Sequence, residues 1–213
     1  MKQLYEQYRP ATWADVIGQD RAIQKIHALA RRGLTGRAYW ITGKSGTGKT
    51  TIARLLAAEI ADDFGIVEMD ASGVTAGGIR EMEMGLRTYS LGKGGRAVII
   101  NEAHGLRKDA VRQLLVTLER LPGHSSIIFT TTNDGQDSLF EGMDDASPLL
   151  SRCIEIQLAR RDLARAFAKR AREIAVKEGL DGQPIAQYVK LANDCKANFR
   201  AMLMAVESGD MLA

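Results

Sequence analysis

A chain of 213 residues, 45% of them hydrophobic, suits one domain with a buried core plus a small appendage. No apolar run approaches the length of a membrane span, and the start, MKQLYEQYRPATW, lacks the apolar core and cleavage site of a signal peptide, so a soluble, cytosolic protein with no membrane partner is expected. Two cysteines and three histidines leave no cluster at zinc-ligand spacing, and the formal charge of +3 is a weak basic bias, compatible with nucleic acid contact without demonstrating it. That excess sits in residues 159–213, where ten Lys/Arg face seven Asp/Glu.

Taken in chain order, β-branched runs alternate with helical patterns, which is the signature of a parallel sheet wrapped by helices. The expected strands are AYWIT (38–42), IVEMDA (66–71), RAVIIN (96–101), SSIIFTTT (125–132) and CIEIQL (153–158). The third and fourth are nearly continuous apolar runs, as strands buried on both faces should be. Between them LRKDAVRQLLVTLERL (106–121) reads as a helix with Leu114, Leu115 and Leu118 inward and Arg107, Lys108 and Arg112 outside. From about residue 159 only helices are expected. Leu163, Phe167 and Ile174 recur on one face, with Arg160, Arg161, Arg165 and Arg172 largely elsewhere, until Gly179 stops the helix. Pro184 opens a second helix, and Phe199, Met202, Leu203 and Val206 mark a third. The expected fold is α/β, a five-stranded parallel sheet flanked by helices (1–158), followed by a small all-helical domain (159–213). Cys153 and Cys195 are expected as small core residues.

GKSGTGKT (43–50) fits the phosphate-loop pattern in full and lies where it must, after a strand and opening the helix TTIARLLAAEI. Gly43, Lys44, Ser45, Gly46, Thr47, Gly48, Lys49, Thr50 and Thr51 are the expected nucleotide-binding residues. Gly46 and Gly48 let backbone N–H groups turn toward phosphates, Lys49 places a charge near the β and γ oxygens, and the Thr50 hydroxyl is the expected Mg²⁺ ligand. ATP and Mg²⁺ are the cofactors this implies. The strand RAVIIN ends in Asn101 and Glu102, where hydrolases of this kind place a metal-side carboxylate and a carboxylate that polarises the attacking water. Asn101 keeps a carbonyl acceptor for the metal side but loses the charge, so weaker hold on Mg²⁺ is expected while the base, Glu102, survives. The plainer reading is that Asn101 caps a turn and Glu102 begins a loop. Asn133, at the end of the next strand, suits a residue that orients water or contacts the γ-phosphate, and equally suits a turn former.

These motifs together resemble the AAA+ ATPases of the clamp-loader type, similar to replication factor C small subunits and the bacterial gamma/tau subunit. EQYRPATWADVIGQD (6–20) resembles the family segment that packs around adenine, carried here by Tyr8, Arg9, Pro10, Val16 and Ile17. SPLLSRC (147–153) resembles the segment whose arginine reaches a neighbouring subunit's ATP, which makes Arg152 a catalytic candidate in trans. Such a cation is worth ~10³ or more in rate. An arginine paired with a carboxylate at a strand entrance is the plainer alternative. NFRAM (198–202) resembles the segment that carries a second sensor arginine, here Arg200, with Asn198 departing from the usual Asp. The gamma/tau subunits also carry a four-cysteine zinc module that is absent here, and the family normally continues into a collar domain that these 213 residues do not contain.

The resemblance implies a ring or arc of AAA+ subunits, homo- or hetero-oligomeric, a sliding clamp as partner, primed or double-stranded DNA, and a cytoplasmic, replication-associated setting. The helix at 106–121 would face the DNA backbone, and a solvated basic face serves as well for its pattern. Three functions compete. The first is a DNA-stimulated ATPase that loads a clamp. A nucleotide-gated assembly or regulator protein slowed by Asn101 is the second. Another DNA-transaction AAA+ ATPase, such as a branch-migration motor, is the third; Ser-Arg-Cys argues against that motor.

Overall fold

The computed structural model describes residues 2–133, 136, 146–159 and 163–212. By contact density the chain divides into two compact units, one made of Arg21–Gly43 and Lys49–Leu158, the other of Met1–Asp20, Lys44–Gly48 and Ala159–Ala213.

The larger unit is built on five parallel strands in the order β2-β3-β4-β1-β5: β1 Arg37–Thr42, β2 Ile66–Asp70, β3 Arg96–Asn101, β4 Ser125–Thr131 and β5 Cys153–Gln157. All five expected strands are present within a residue or two of the expected bounds. Burial follows position in the sheet. All seven residues of the central β4 are buried, whereas the edge strands β2 and β5 are largely half-buried or exposed, which is why their sequences alternate. Helices α2 Asp20–Ala30, α3 Lys49–Ile60, α4 Ala76–Leu86, α5 Lys108–Glu119 and α6 Ala146–Ser151 complete this part of the chain. Trp40 of β1 and Phe129 of β4 meet with ring centroids 5.2 Å apart, and Ile100, Ile127, Val98 and Leu114 surround them in one core. Leu115 and Leu118 of α5 are half-buried against that core, while Arg107, Lys108 and Arg112 are exposed, as their spacing requires.

β4 carries four buried hydroxyls, which would be costly without partners. Ser125 donates to the Leu86 carbonyl (2.7 Å) and Ser126 to the Leu34 carbonyl (3.1 Å) at its amino end. Thr130 and Thr131 are satisfied at its carboxyl end, beside Asn101 and His104. Cys153 is half-buried, its thiol donating to the Leu149 carbonyl, and burial pushes its pKa up to about 12.

The smaller unit gathers α1 Leu4–Gln7 and three helices, α7 Ala164–Glu178, α8 Ile185–Asp194 and α9 Phe199–Glu207. Gly179 ends α7 in the left-handed region (φ 70°), Pro184 precedes the first residue of α8, and the Asn198 side chain caps α9 by accepting from the Ala201 amide. Leu163, Phe167, Ile174, Tyr188, Met202, Leu203 and Val206 form its core. Leu4 is buried in that core, and Tyr5, Tyr8 and Ile17 pack on it, so the first twenty residues are part of the helical unit. Arg160 and Arg161 lie outside the described residues. No helix among the described residues is long and apolar enough to cross a membrane.

Candidate active site

In a parallel sheet the strands' carboxyl ends open onto loops that can face a ligand. Here β1 runs into the phosphate loop, β3 ends at Asn101 with Glu102 next in the chain, and Asn133 lies two residues past the end of β4. Within the larger unit, Lys49 is buried and its ammonium donates to the Gly43 carbonyl at 3.1 Å, which fixes the side chain alongside its own loop. Thr50, one residue on, donates to Asn101 Oδ1 at 3.4 Å. Thr51 is half-buried behind it. Asn101 Oδ1 also accepts from the buried Thr130 hydroxyl (2.9 Å), and its Nδ2 donates to Glu68 Oε1 at 2.7 Å. Glu68 in turn takes two hydrogen bonds from the Arg54 guanidinium, at 2.7 and 3.1 Å. The residue expected on the metal side is therefore held on both faces of its amide.

Glu102 is built differently. Its side chain is exposed, and its backbone occupies the left-handed region at φ 51°, ψ 50°, which costs a non-glycine residue about 1 kcal/mol or more. His104 Nδ1 lies 3.5 Å from Glu102 Oε2 and 3.2 Å from Thr131 Oγ1. Asp70, opposite Asn101 in the β2–β3 register, has its pKa lowered by hydrogen bonds from the Ser72 hydroxyl and amide. Among the described residues, the buried Asn133 Oδ1 has no hydrogen-bond partner, a state that polar side chains seldom keep. Arg152 is exposed just before β5, with Nη2 2.7 Å from Glu119 Oε1 and Nη1 donating to the Pro148 carbonyl at 3.0 Å. Within its own chain it is thus the arginine paired with a carboxylate at a strand entrance.

The oxygens of Thr50 and Asn101 are the hard donors that Mg²⁺ prefers, and the lysine at the loop's end suits the phosphates of ATP, so the residues present fit both. Thr50 and Asn101 would hold the metal. Gly48, at φ 96° with nothing within 4 Å of where a Cβ would stand, leaves its side of the loop open for a phosphate group. A groove of about 470 Å³ lined by Tyr89, Lys93 and His124 lies at the strands' amino ends.

In the smaller unit, the loop residues Lys44 to Gly48 have partners of their own. Gln19 is 2% exposed; its Nε2 donates to the Thr47 carbonyl (3.3 Å) and the Ala159 carbonyl (2.8 Å), and its Oε1 accepts from the Ala159 amide at 2.8 Å. Gly46 (φ 75°) is approached so closely by Asn198 that an added Cβ would lie 2.0 Å from Asn198 Oδ1. Lys44 and Ser45 are exposed and Thr47 is buried, its hydroxyl donating to the Lys44 carbonyl at 2.7 Å. Arg200 is exposed on α9 with its guanidinium 5.2 Å from the Tyr5 ring centroid, a cation–π contact. Tyr8 donates to Glu178, Arg9 pairs with Glu6, and the buried Arg9 Nε has no partner among the described residues. Pro10, Val16 and Ile17 are half-buried in the same unit.

Sequence reasoning missed Glu68, Thr130 and Gln19. Only the pairing of β2 with β3 brings Glu68 to Asn101, and Gln19 meets Ala159 across 140 residues. The Gly-Gln pair ending the amino-terminal motif was the one visible signal for Gln19.

The chain is 26% identical to DNA polymerase III subunit tau of Escherichia coli (strain K12) over 97% of its length and 35% of that protein's. It is 27% identical to the replication factor C large subunit of Methanocella arvoryzae over 95% of its length and 36% of that protein's. It therefore spans about a third of the length of these curated relatives. The Thermotoga maritima RuvB Holliday junction branch migration motor shares the fold, with a TM-score of 0.71 at 20% identity over 94% of this chain and 64% of that one. The sequence pattern of the ATPase family associated with various cellular activities (AAA) matches residues 39–160, more than half of the chain, and the chain belongs to that family.

Proposed function

We propose that the chain is an AAA+ ATPase subunit that works on DNA within an oligomer and binds ATP with Mg²⁺ at the carboxyl end of its sheet. The observation that carries this reading is the convergence of Lys49, Thr50 and Asn101, with Glu102 beside them at the end of β3. Mg²⁺ held by Thr50 and Asn101 would offset charge on the transferring phosphoryl group. Lys49 binds the β and γ oxygens. Glu102 orients the attacking water and takes its proton, and Asn133, two residues past β4 with a buried carbonyl acceptor, holds that water in line. Arg152 leaves Glu119 to serve the γ-phosphate of an adjacent subunit, and Arg200 leaves Tyr5 to read the triphosphate.

Work on DNA is supported by the relatives' names, which span a DNA polymerase III subunit, a replication factor C subunit and a Holliday junction motor. That spread favours the broad reading, a DNA-transaction ATPase, over clamp loading as such. Loading of a sliding clamp is the finer reading, supported by the Ser-Arg-Cys and Tyr-Arg-Pro segments. A nucleotide-gated assembly protein with slow turnover is the second reading, and Asn101 in place of a carboxylate favours it. Steady-state ATP turnover with and without primed DNA, alongside identification of co-purifying proteins, separates them. A DNA-stimulated rate with a ring-shaped clamp recovered supports clamp loading. Stimulation with a helicase or transposase recovered supports the broad reading alone, and no turnover despite ATP-dependent oligomers supports the second. Failure to bind ATP overturns all three.

A further inference from the structure

The missing charge at position 101 has a counterpart one strand away. β2 and β3 run parallel with Glu68 opposite Ile99, and the period of two along a strand puts Asn101 on the same face, one step further on. Thr50 and Arg54 are four residues apart on α3 and so share a helix face. The result is a continuous hydrogen-bonded line: Thr50 to Asn101 Oδ1, Asn101 Nδ2 to Glu68 Oε1 at 2.7 Å, and Arg54 to both carboxylate oxygens of Glu68. Thr130 donates to Asn101 Oδ1 from the other side.

We propose that Glu68 is a positioning residue that supplies, through the Asn101 amide, the negative charge that the metal side of this site otherwise lacks. The proposal rests on the ATP–Mg²⁺ reading above. A carboxylate that accepts from one end of an amide fixes the amide's orientation and polarises it, which makes the far oxygen a better acceptor or ligand. Arg54 pairs with the Glu68 carboxylate through both of its oxygens and holds it in place. Residues 68 and 101 are then one unit whose charge has moved from the end of β3 to the middle of β2. A carboxylate restored at 101 alone would face Glu68 Oε1 where the Asn101 amide now donates across 2.7 Å, which removes that hydrogen bond and sets two like charges against each other.

The test uses a fluorescent non-hydrolysable ATP analogue, titrated with Mg²⁺, and thermal melting without nucleotide. The proteins are wild type, Glu68→Gln, Asn101→Asp and the double variant. Glu68→Gln should raise the Mg²⁺ concentration needed for half-maximal binding by about tenfold while leaving metal-free analogue affinity unchanged. Asn101→Asp should lower the melting temperature and leave Mg²⁺ demand high. Adding Glu68→Gln to it should return both to wild-type values. If Asn101→Asp does not fold, the Glu68→Gln titration decides alone. A purely structural Glu68–Arg54 pair would lower the melting temperature of Glu68→Gln with its Mg²⁺ curve superimposed on wild type, and that result overturns the proposal, as does tighter Mg²⁺ binding by Asn101→Asp without the second change. A wild type that binds no analogue at any Mg²⁺ concentration overturns the ATP reading itself, and this differs visibly from binding that is indifferent to Glu68.

Discussion

Asn101 and Glu102 are neighbours in sequence, yet the structure treats them in opposite ways. Asn101 ends β3 in regular conformation, with its amide engaged by Thr50, Thr130 and Glu68. Glu102 leaves the strand in the left-handed region and projects an exposed carboxylate toward His104. One position is fixed by partners in three other elements, and the other is exposed, with its carboxylate near His104 and its backbone in a strained conformation. A group that holds a cation gains from rigid partners, whereas a base must exchange a proton and stay open to water. On the proposed reading, the uncharged residue at 101 is accommodated within a rigid network without disturbing the proposed base, Glu102.

That contrast can be broken from either side. Lys49→Ala removes the charge common to both, and analogue binding should fall by about 100-fold or more, measured by fluorescence titration. Glu102→Gly should separate strain from chemistry: turnover falls by ~10² or more while the protein becomes more stable by about 1 kcal/mol, because glycine enters the left-handed region freely. A variant that loses turnover and stability together would remove strain from the account. Thr130→Val deletes one hydroxyl that Asn101 accepts from, and chemical denaturation should show a loss of about 1 kcal/mol with turnover changed only a few fold. The smallest effect is expected for Arg152→Lys in the isolated subunit. Its ion pair with Glu119 is exposed, so stability should shift by less than about 1 kcal/mol, whereas turnover in the assembled oligomer should drop sharply.

How much of this the sequence reveals depends on the distance over which information acts. Strands β1, β3 and β4 were legible because β-branched runs such as VII and SSIIFTTT report burial on both faces directly. Gly179 and Pro184 set helix limits by local chemistry and were legible for the same reason, whereas the cap that Asn198 supplies was not read from the sequence. The phosphate loop is a contiguous motif, and its lysine is indeed buried beside its own backbone. Glu68 was hidden because its importance lies in the register of two strands, 33 residues from Asn101. Gln19 was hidden similarly: its carboxamide meets the Thr47 carbonyl and both backbone groups of Ala159, and nothing local marks a glutamine as a buried connector. The left-handed backbone at Glu102 also escaped notice, since a motif specifies which side chain stands there and not the strain of presenting it.

The central claim is that the end of β3 is a working hydrolytic site. Comparison of wild type with Glu102→Gln, for analogue binding and for steady-state ATP turnover on primed DNA, tests it most directly. The account predicts binding within about twofold of wild type and turnover reduced by ~10² or more, because the amide keeps the shape of the carboxylate and cannot accept a proton. Turnover that survives in Glu102→Gln would contradict it.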